Sequence, residues 1–174
     1  VAPSMQEIPL KNNTQALEFG EKLMAGEIEL VVFLTGVGTR TLMDVLETRW
    51  AQEVILEAFS KRTLVVRGPK PLAVLKSFGL TPQLIVPEPN TWEDLLKTLD
   101  TQYPHGLTNL TDGLQEYGVA NPELRDGLTT RGAHVIRIPI YRWTLPDDTA
   151  PLQQVLEKIL AREGDIMLLT NAVQ

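Results

Sequence analysis

The side chains best placed for chemistry in this sequence are threonines and glycines that follow apolar runs. Glu29–Leu46 reads ELVVFLTGVGTRTLMDVL: an acidic start, a run of apolar and β-branched residues, a loop with two glycines, then a helical pattern. An apolar run of that length between turn residues predicts a strand buried on both faces, as in a parallel sheet. Leu42, Val45 and Leu46 then recur at helical spacing, with Thr39 or Thr41 as the candidate cap. The loop Thr35–Thr39 is therefore expected at the carboxyl end of a strand, where open α/β sheets place their ligands. Gly36 and Gly38 let a ligand come close to the backbone, and the unpaired amides of a helix start favour an anion. The alternative reading of the same stretch is a tight strand-to-helix turn with no ligand.

Other chemistries are excluded by what the sequence lacks. There is no cysteine, so no disulfide framework and no thiolate nucleophile. His105 and His134 stand far apart and match no metal-site spacing, so no metal is expected. Ser4, Ser60 and Ser77 have no histidine nearby in sequence, and no nucleophile elbow, Walker A motif or dinucleotide fingerprint occurs. What remains is a set of expected strand-end loops, Thr35–Thr39, Gly68–Lys70, Gly118–Asn121 and Thr170–Asn171, with Tyr141 and several arginines. That is equipment for holding an anionic ligand through backbone amides. A net charge of −6 over 174 residues argues against a broad nucleic-acid surface but leaves room for a small anion. Hydrophobic content of 43% with 22% charged residues suits a globular chain of one ordinary domain or two small ones. No run reaches transmembrane length and no signal segment is visible, which points to the cytoplasm and away from membranes.

The elements that must carry these loops follow from periodicity. Val1–Leu10 reads as an extended segment whose prolines suit a sheet edge. Asn12 and Gln15 offer a capping box for a helix to about Ala25, stopped by Gly26. The helix after the Thr35 loop is expected to run on through Trp50, Val54, Ile55 and Phe59. Thr63–Val66 is a strand, followed by a helix on Leu72, Leu75 and Phe78 ending at Gly79. Leu84–Val86 is another strand, with Asn90 and Glu93 framing a capping box for the helix Trp92–Leu99. Thr101–Asp112 reads as polar and irregular, and Gly113–Tyr117 as a strand. Asn121-Pro122-Glu123 is a strong helix start, with cap, first-position proline and first-turn acid in sequence. His134–Trp143 is a long extended run, Pro151–Arg162 an amphipathic helix and Asp165–Leu169 a strand. Alternation of helix and strand implies a parallel sheet with right-handed crossovers.

One internal echo bears on the architecture. Ile8-Pro9, a helix to Ala25-Gly26, Glu29, an apolar strand and Thr35 are matched by Ile138-Pro139, a helix to Ala161, Gly164, Asp165, an apolar strand and Thr170. The match slips by one residue before the threonine. It points to two similar α/β units joined by two extended crossings, Val1–Leu10 and His134–Thr144, with a cleft between them as a natural ligand site.

FLTGVGTRTL (33–42), RGPKPLAVLKSFGL (67–80), QEYGVANPELRDGL (115–128), RGAHVIRIPIYRW (131–143) and LLTNAVQ (168–174) fall in the order seen in uroporphyrinogen-III synthases, and the chain resembles that family over nearly all its length. The resemblance implies two flavodoxin-like parallel-sheet domains joined by a two-stranded antiparallel linker. Here 8–138 would form the central domain, and 1–7 with 139–174 the linker strands and part of the second. It implies a monomeric lyase that closes hydroxymethylbilane to uroporphyrinogen III with inversion of the last pyrrole ring and loss of water, without metal or cofactor. Tyr141 matches the family's tyrosine near the leaving hydroxyl; the same residue also reads as a cross-strand aromatic. Thr35, Gly36, Gly38, Gly118, Asn121, Thr170 and Asn171 match cleft loops that receive substrate carboxylates. Arg40, Arg67, Lys70 and Arg142 are candidate counter-charges; each also reads as solvated surface charge, the favoured reading for Arg40.

Two departures from the family pattern stand out. Pro71 occupies a position where many members carry a threonine or serine. Family members also begin with a further strand and helix and end with more helix and strand. Two explanations of that shortness are open: a piece of a longer protein, or a remnant that does not catalyse. A sensor of the same fold, binding a tetrapyrrole or other carboxylated ligand without turnover, is the rival reading. A two-lobed periplasmic-type binding protein is disfavoured by the missing signal segment.

Overall fold

A computed structural model describes residues 2–10, 12–118 and 120–163. Among them, strands β1 (Gln6–Pro9), β2 (Leu30–Phe33), β3 (Thr63–Val66), β4 (Leu84–Ile85), β5 (Thr111–Gly118) and β6 (His134–Thr144) form one sheet in the order β1-β6-β5-β2-β3-β4. Helices α1 (Thr14–Ala25), α2 (Gly36–Glu47), α3 (Gln52–Ser60), α4 (Pro69–Ser77), α5 (Trp92–Gln102), α6 (Pro122–Thr130) and α7 (Ala150–Leu160) lie between and after the strands, α2 and α3 in succession. β2 pairs in parallel with both β3 and β5, and β3 with β4. This is the parallel α/β arrangement that the apolar runs imply. The proline-bearing β1 lies at an edge, where a missing N–H costs least.

The chain parts into two compact units, one of Pro9–Tyr141 and one of Val1–Ile8 with Arg142–Gln174. In the larger, every residue of β2 is buried. Leu30, Val32 and Leu34, with Val65 and Leu114, form a core with Leu95, Leu96 and Leu99 of α5 and Leu124 and Leu128 of α6. Another buried cluster joins Phe33 to the Phe59 ring at 5.7 Å, and Phe59 to Phe19 at 6.4 Å. Glu29 explains the acidic start of β2. Its amide donates to Thr111 O at 3.1 Å, its carbonyl accepts from Thr63 N at 3.0 Å, and its carboxylate accepts from Thr111 N at 2.7 Å. One residue thus stitches the starts of three strands. In the smaller unit, Gln6 Nε2 donates to Asp147 Oδ1 at 3.1 Å and α7 leaves Leu156 and Leu160 exposed.

Several helix boundaries differ from the sequence reading. The expected single helix to Phe59 is two, because Thr48 Oγ1 donates to Val45 O at 2.6 Å and Ala51 restarts the ladder in an extended conformation. The break brings Trp50 against Gly20 of α1, where an added Cβ would lie 2.6 Å from the indole. α1 starts after Asn13 without a side-chain cap; Asn12 Oδ1 instead accepts from Thr14 N at 2.9 Å, so no Asn12–Gln15 box forms. The box of α5 is Thr91 with Asp94, not Asn90 with Glu93, since Asn90 takes a left-handed φ of 60° that takes it out of the cap. The supposedly irregular Thr101–Asp112 begins inside α5 and buries Leu107. The strand expected at Asp165–Leu169 lies outside the described residues.

Asp112, near the start of β5 beside Leu30, is 1% exposed, and neither carboxyl oxygen has a hydrogen-bond partner among the described residues. Burial pushes its carboxyl from the usual 3.8 up to about 8. The folded chain therefore holds a proton that the unfolded chain releases. This contribution is fully present below about pH 4 and is lost as pH rises towards 8, at about 1.4 kcal/mol per pH unit. Urea denaturation at several pH values should show Asp112→Asn close to the parent at pH 4 and more stable by over ~2 kcal/mol at pH 7. Parallel stability curves for the two proteins would mean that the carboxyl is solvated.

Candidate functional site

The carboxyl ends of parallel strands share one edge of the sheet, and the candidate residues collect there. β2 ends at Phe33 and α2 begins at Gly36, so the expected Thr35–Thr39 loop is mostly the first turn of a helix. Its cap is Thr35, not Thr39 or Thr41. Thr35 is extended, and its Oγ1 accepts from Gly38 N at 3.0 Å. Thr39 is buried and its hydroxyl donates back to Thr35 O at 2.7 Å. Thr35 Oγ1 also lies 3.3 Å from the phenol oxygen of Tyr141, one hydroxyl donating to the other. Tyr141 is only 5% exposed.

Both glycines have steric work to do. An added Cβ at Gly36 would stand 3.1 Å from the carbonyl oxygen of Lys70, so this residue is where the starts of α2 and α4 touch. An added Cβ at Gly38 would run into the side-chain amide of Gln115. Arg67 continues the β2–β3 ladder, its amide donating to Phe33 O at 3.0 Å, and Gly68 opens α4 at φ 113° ahead of Pro69. Lys70 is exposed and Arg67 half-buried. Arg40 is also exposed.

At the end of β5, Gly118 turns with φ 52°, and Asn121 caps α6 by accepting from Leu124 N at 2.9 Å. Its amide oxygen is thus committed to the helix. Arg142 is exposed and falls in the smaller unit. Thr170 and Asn171 lie outside the described residues. The structure therefore brings together Thr35, Gly36, Gly38, Arg67, Lys70 and Tyr141, with Gly118 and Asn121 farther along the same edge.

Two residues of β5 escaped the sequence reading. Gln115 is fully buried, and its Oε1 accepts from Leu34 N at 3.1 Å and Thr35 N at 3.2 Å. Glu116 takes a bidentate pair from Arg137 of β6 at 2.8 and 2.9 Å, and that carboxylate holds the guanidinium above its usual pKa. The available signal was two polar residues in mid-strand, where a doubly covered sheet should be apolar. Among the described residues no His, Asp or Glu cluster suits a metal ion, and no helix is long and apolar enough to cross a membrane.

Comparison with known proteins gives a consistent answer. The family model described as uroporphyrinogen-III synthase HemD matches residues 1–173. YjjA of Bacillus subtilis (strain 168), an uncharacterized protein, is 30% identical over 144 residues, covering 83% of this chain and 52% of YjjA. A mutant uroporphyrinogen III synthase of the extremely thermophilic bacterium Thermus thermophilus is similar at a TM-score of 0.68 and 27% identity, covering 94% of this chain and 59% of that one. The wild-type T. thermophilus enzyme is similar at 0.61 and 26%, with the same coverage. The chain spans between half and three-fifths of the length of these relatives.

The steric roles of the two glycines are separable. Gly38→Ala should destabilise by roughly 1–3 kcal/mol, because the new methyl must displace a buried amide hydrogen-bonded at both its oxygen and its nitrogen. Gly36→Ala should cost less, since Lys70 O needs to give only a few tenths of an ångström and Ala favours the helix by up to ~1 kcal/mol. Urea midpoints of the two variants test the order, and equal losses would mean that Gln115 does not occupy the space over Gly38.

Proposed function

The chain belongs to the uroporphyrinogen-III synthase family, and on that premise we propose that it carries the catalytic edge of a lyase that closes hydroxymethylbilane to uroporphyrinogen III. The fuller architecture proposed is the family's two flavodoxin-like domains joined by an antiparallel linker, with 8–138 the central one. The observation that carries the reading is the Thr35–Tyr141 hydroxyl pair, 3.3 Å apart, at the strand edge where a family-matched loop opens α2. In the proposed reaction Tyr141 donates its phenol proton to the leaving hydroxyl of the linear tetrapyrrole, which departs as water. Thr35 fixes the direction of that phenol, being itself held by Gly38 N. Backbone amides at the starts of α2 and α4, with Arg67 and Lys70, receive substrate carboxylates. Gly118, Asn121, Arg142, Thr170 and Asn171 are proposed as further substrate-binding residues. The remaining task is positional: the bilane must be folded so that simple closure to the unrearranged isomer is avoided. The protein is proposed to act as a cytoplasmic monomer without cofactor.

One observation favours a second reading, a sensor that holds a carboxylated tetrapyrrole without turnover. The phenol is almost wholly buried and already engaged with Thr35, whereas the cationic side chains Arg40 and Lys70 are exposed. An isomer-resolved assay with hydroxymethylbilane separates the two. The natural polypeptide that contains this sequence should give isomer III above the spontaneous background of isomer I. Tyr141→Phe should lower turnover by about 100-fold or more if the phenol is the proton donor. Tight bilane binding with only background isomer I would establish the sensor instead.

A further inference from the structure

We propose that Gln115 is the positioning residue of this site, its carboxamide setting where Thr35 presents its hydroxyl to Tyr141. The role assigned to that pair rests on the function proposed above. Gln115 sits on β5 directly across from Phe33, the last residue of β2, and it is 0% exposed. A neutral amide buried among apolar neighbours is unfavourable unless its hydrogen bonds are met. Here they are met in a specific pattern. Oε1 accepts from Leu34 N and Thr35 N, the two amides that follow the last ladder pair, and Nε2 donates to Glu116 O. The side chain therefore continues the β2–β5 ladder by two residues after the backbone pairing stops.

That extension fixes the approach to α2. Thr35 N is tied to Gln115, Thr35 Oγ1 accepts from Gly38 N, and Thr35 O accepts from both Thr39 N and Thr39 Oγ1. Gly38 lies against the carboxamide, with no room for a Cβ between them. With its amide, carbonyl and hydroxyl all bonded, Thr35 has one orientation, and that orientation faces Tyr141 at 3.3 Å. Gln115 touches no reacting group in this scheme and acts through Thr35. Any apolar side chain of similar volume could fill the space. Only a group that accepts at one atom and donates at the other reproduces the bonding.

Glutamate and methionine separate these roles. The carboxyl introduced by Gln115→Glu accepts and donates as the amide does while it is protonated, and once ionised it has no proton for Glu116 O. In the natural polypeptide that contains this chain, Gln115→Met should speed amide exchange at Leu34 and Thr35 roughly tenfold. It should also lower turnover and the isomer III share by about 10- to 100-fold with KM little changed. Gln115→Glu should match the parent in both readouts at acidic pH and fall to the level of Gln115→Met as pH rises. In a Thr35→Val background, Gln115→Met should cost no further turnover. Parent-like exchange and turnover in a folded Gln115→Met would overturn the proposal, as would Gln115→Glu that is pH-independent. If Gln115→Met does not fold, Gln115→Glu across the pH range decides alone. If the parent forms no isomer III, the proposed reaction fails, but amide exchange at Leu34 and Thr35 still decides whether Gln115 positions the loop.

Discussion

Strand β2 has no exposed edge and no exposed face: β3 and β5 pair with it on either side, and each of its four residues is buried. A backbone in that position must satisfy every N–H and C=O through its neighbours, because water cannot reach them. Much of the larger unit can be read as a consequence. Parallel pairing sends the ends of β2, β3 and β5 to the same edge and forces each connection to return through a helix. The starts of α2, α4 and α6 therefore gather at that edge, each with backbone amides that lack a helical partner. The ladder itself stops at Phe33 and Gln115, and a side chain takes over where it stops.

The two ends of β5 treat buried polar groups in opposite ways. At Gln115 every hydrogen-bonding group of the amide finds a partner, which makes the side chain a brace. Three residues earlier, Asp112 has no partner for either oxygen among the described residues, and it avoids the cost of a buried charge by keeping its proton. Glu116 takes a third course and forms a bidentate pair with Arg137. The unpaired carboxyl of Asp112 lies near the start of β5, away from the strand-end edge of the candidate site. At the site end, the polar groups are paired in fixed geometry, as a positioning surface requires.

Helix and strand identities were readable because the apolar periodicity of β2, β3 and α6 leaves little choice, and because Asn121-Pro122-Glu123 carries three concordant start signals. Cap identities were harder. Thr35, Thr39 and Thr41 are chemically equivalent on paper, and only the ladder's end at Phe33 selects the first. Asn90 offered a good cap residue but is drawn into a left-handed turn next to Gly68. The break between α2 and α3 depends on Thr48 bonding back to Val45, an option every mid-helix threonine has and few use to end a helix. Gln115 was illegible for a related reason. Its value lies in two backbone amides about eighty residues away, and nothing in its own neighbourhood announces them.

The polar groups of the site divide into two kinds. The hydroxyls of Thr35 and Tyr141 are sheltered and mutually bonded, so they can hold direction but cannot attract a ligand from a distance. Attraction must come from exposed cations such as Lys70, on a chain whose net charge is −6. Charges separated by more than about 8–10 Å are largely screened at physiological ionic strength, so the overall negative charge weighs little once a carboxylated ligand is near the edge. Close range is then governed by Gly36, whose bare α-carbon lets the α4 start, with Lys70, sit against the start of α2. A carboxylated ligand held near Lys70 would meet hydroxyls already bonded to each other. Such preorganisation is useful to an enzyme that must favour one ring closure over another and is dispensable for a protein that only holds its ligand.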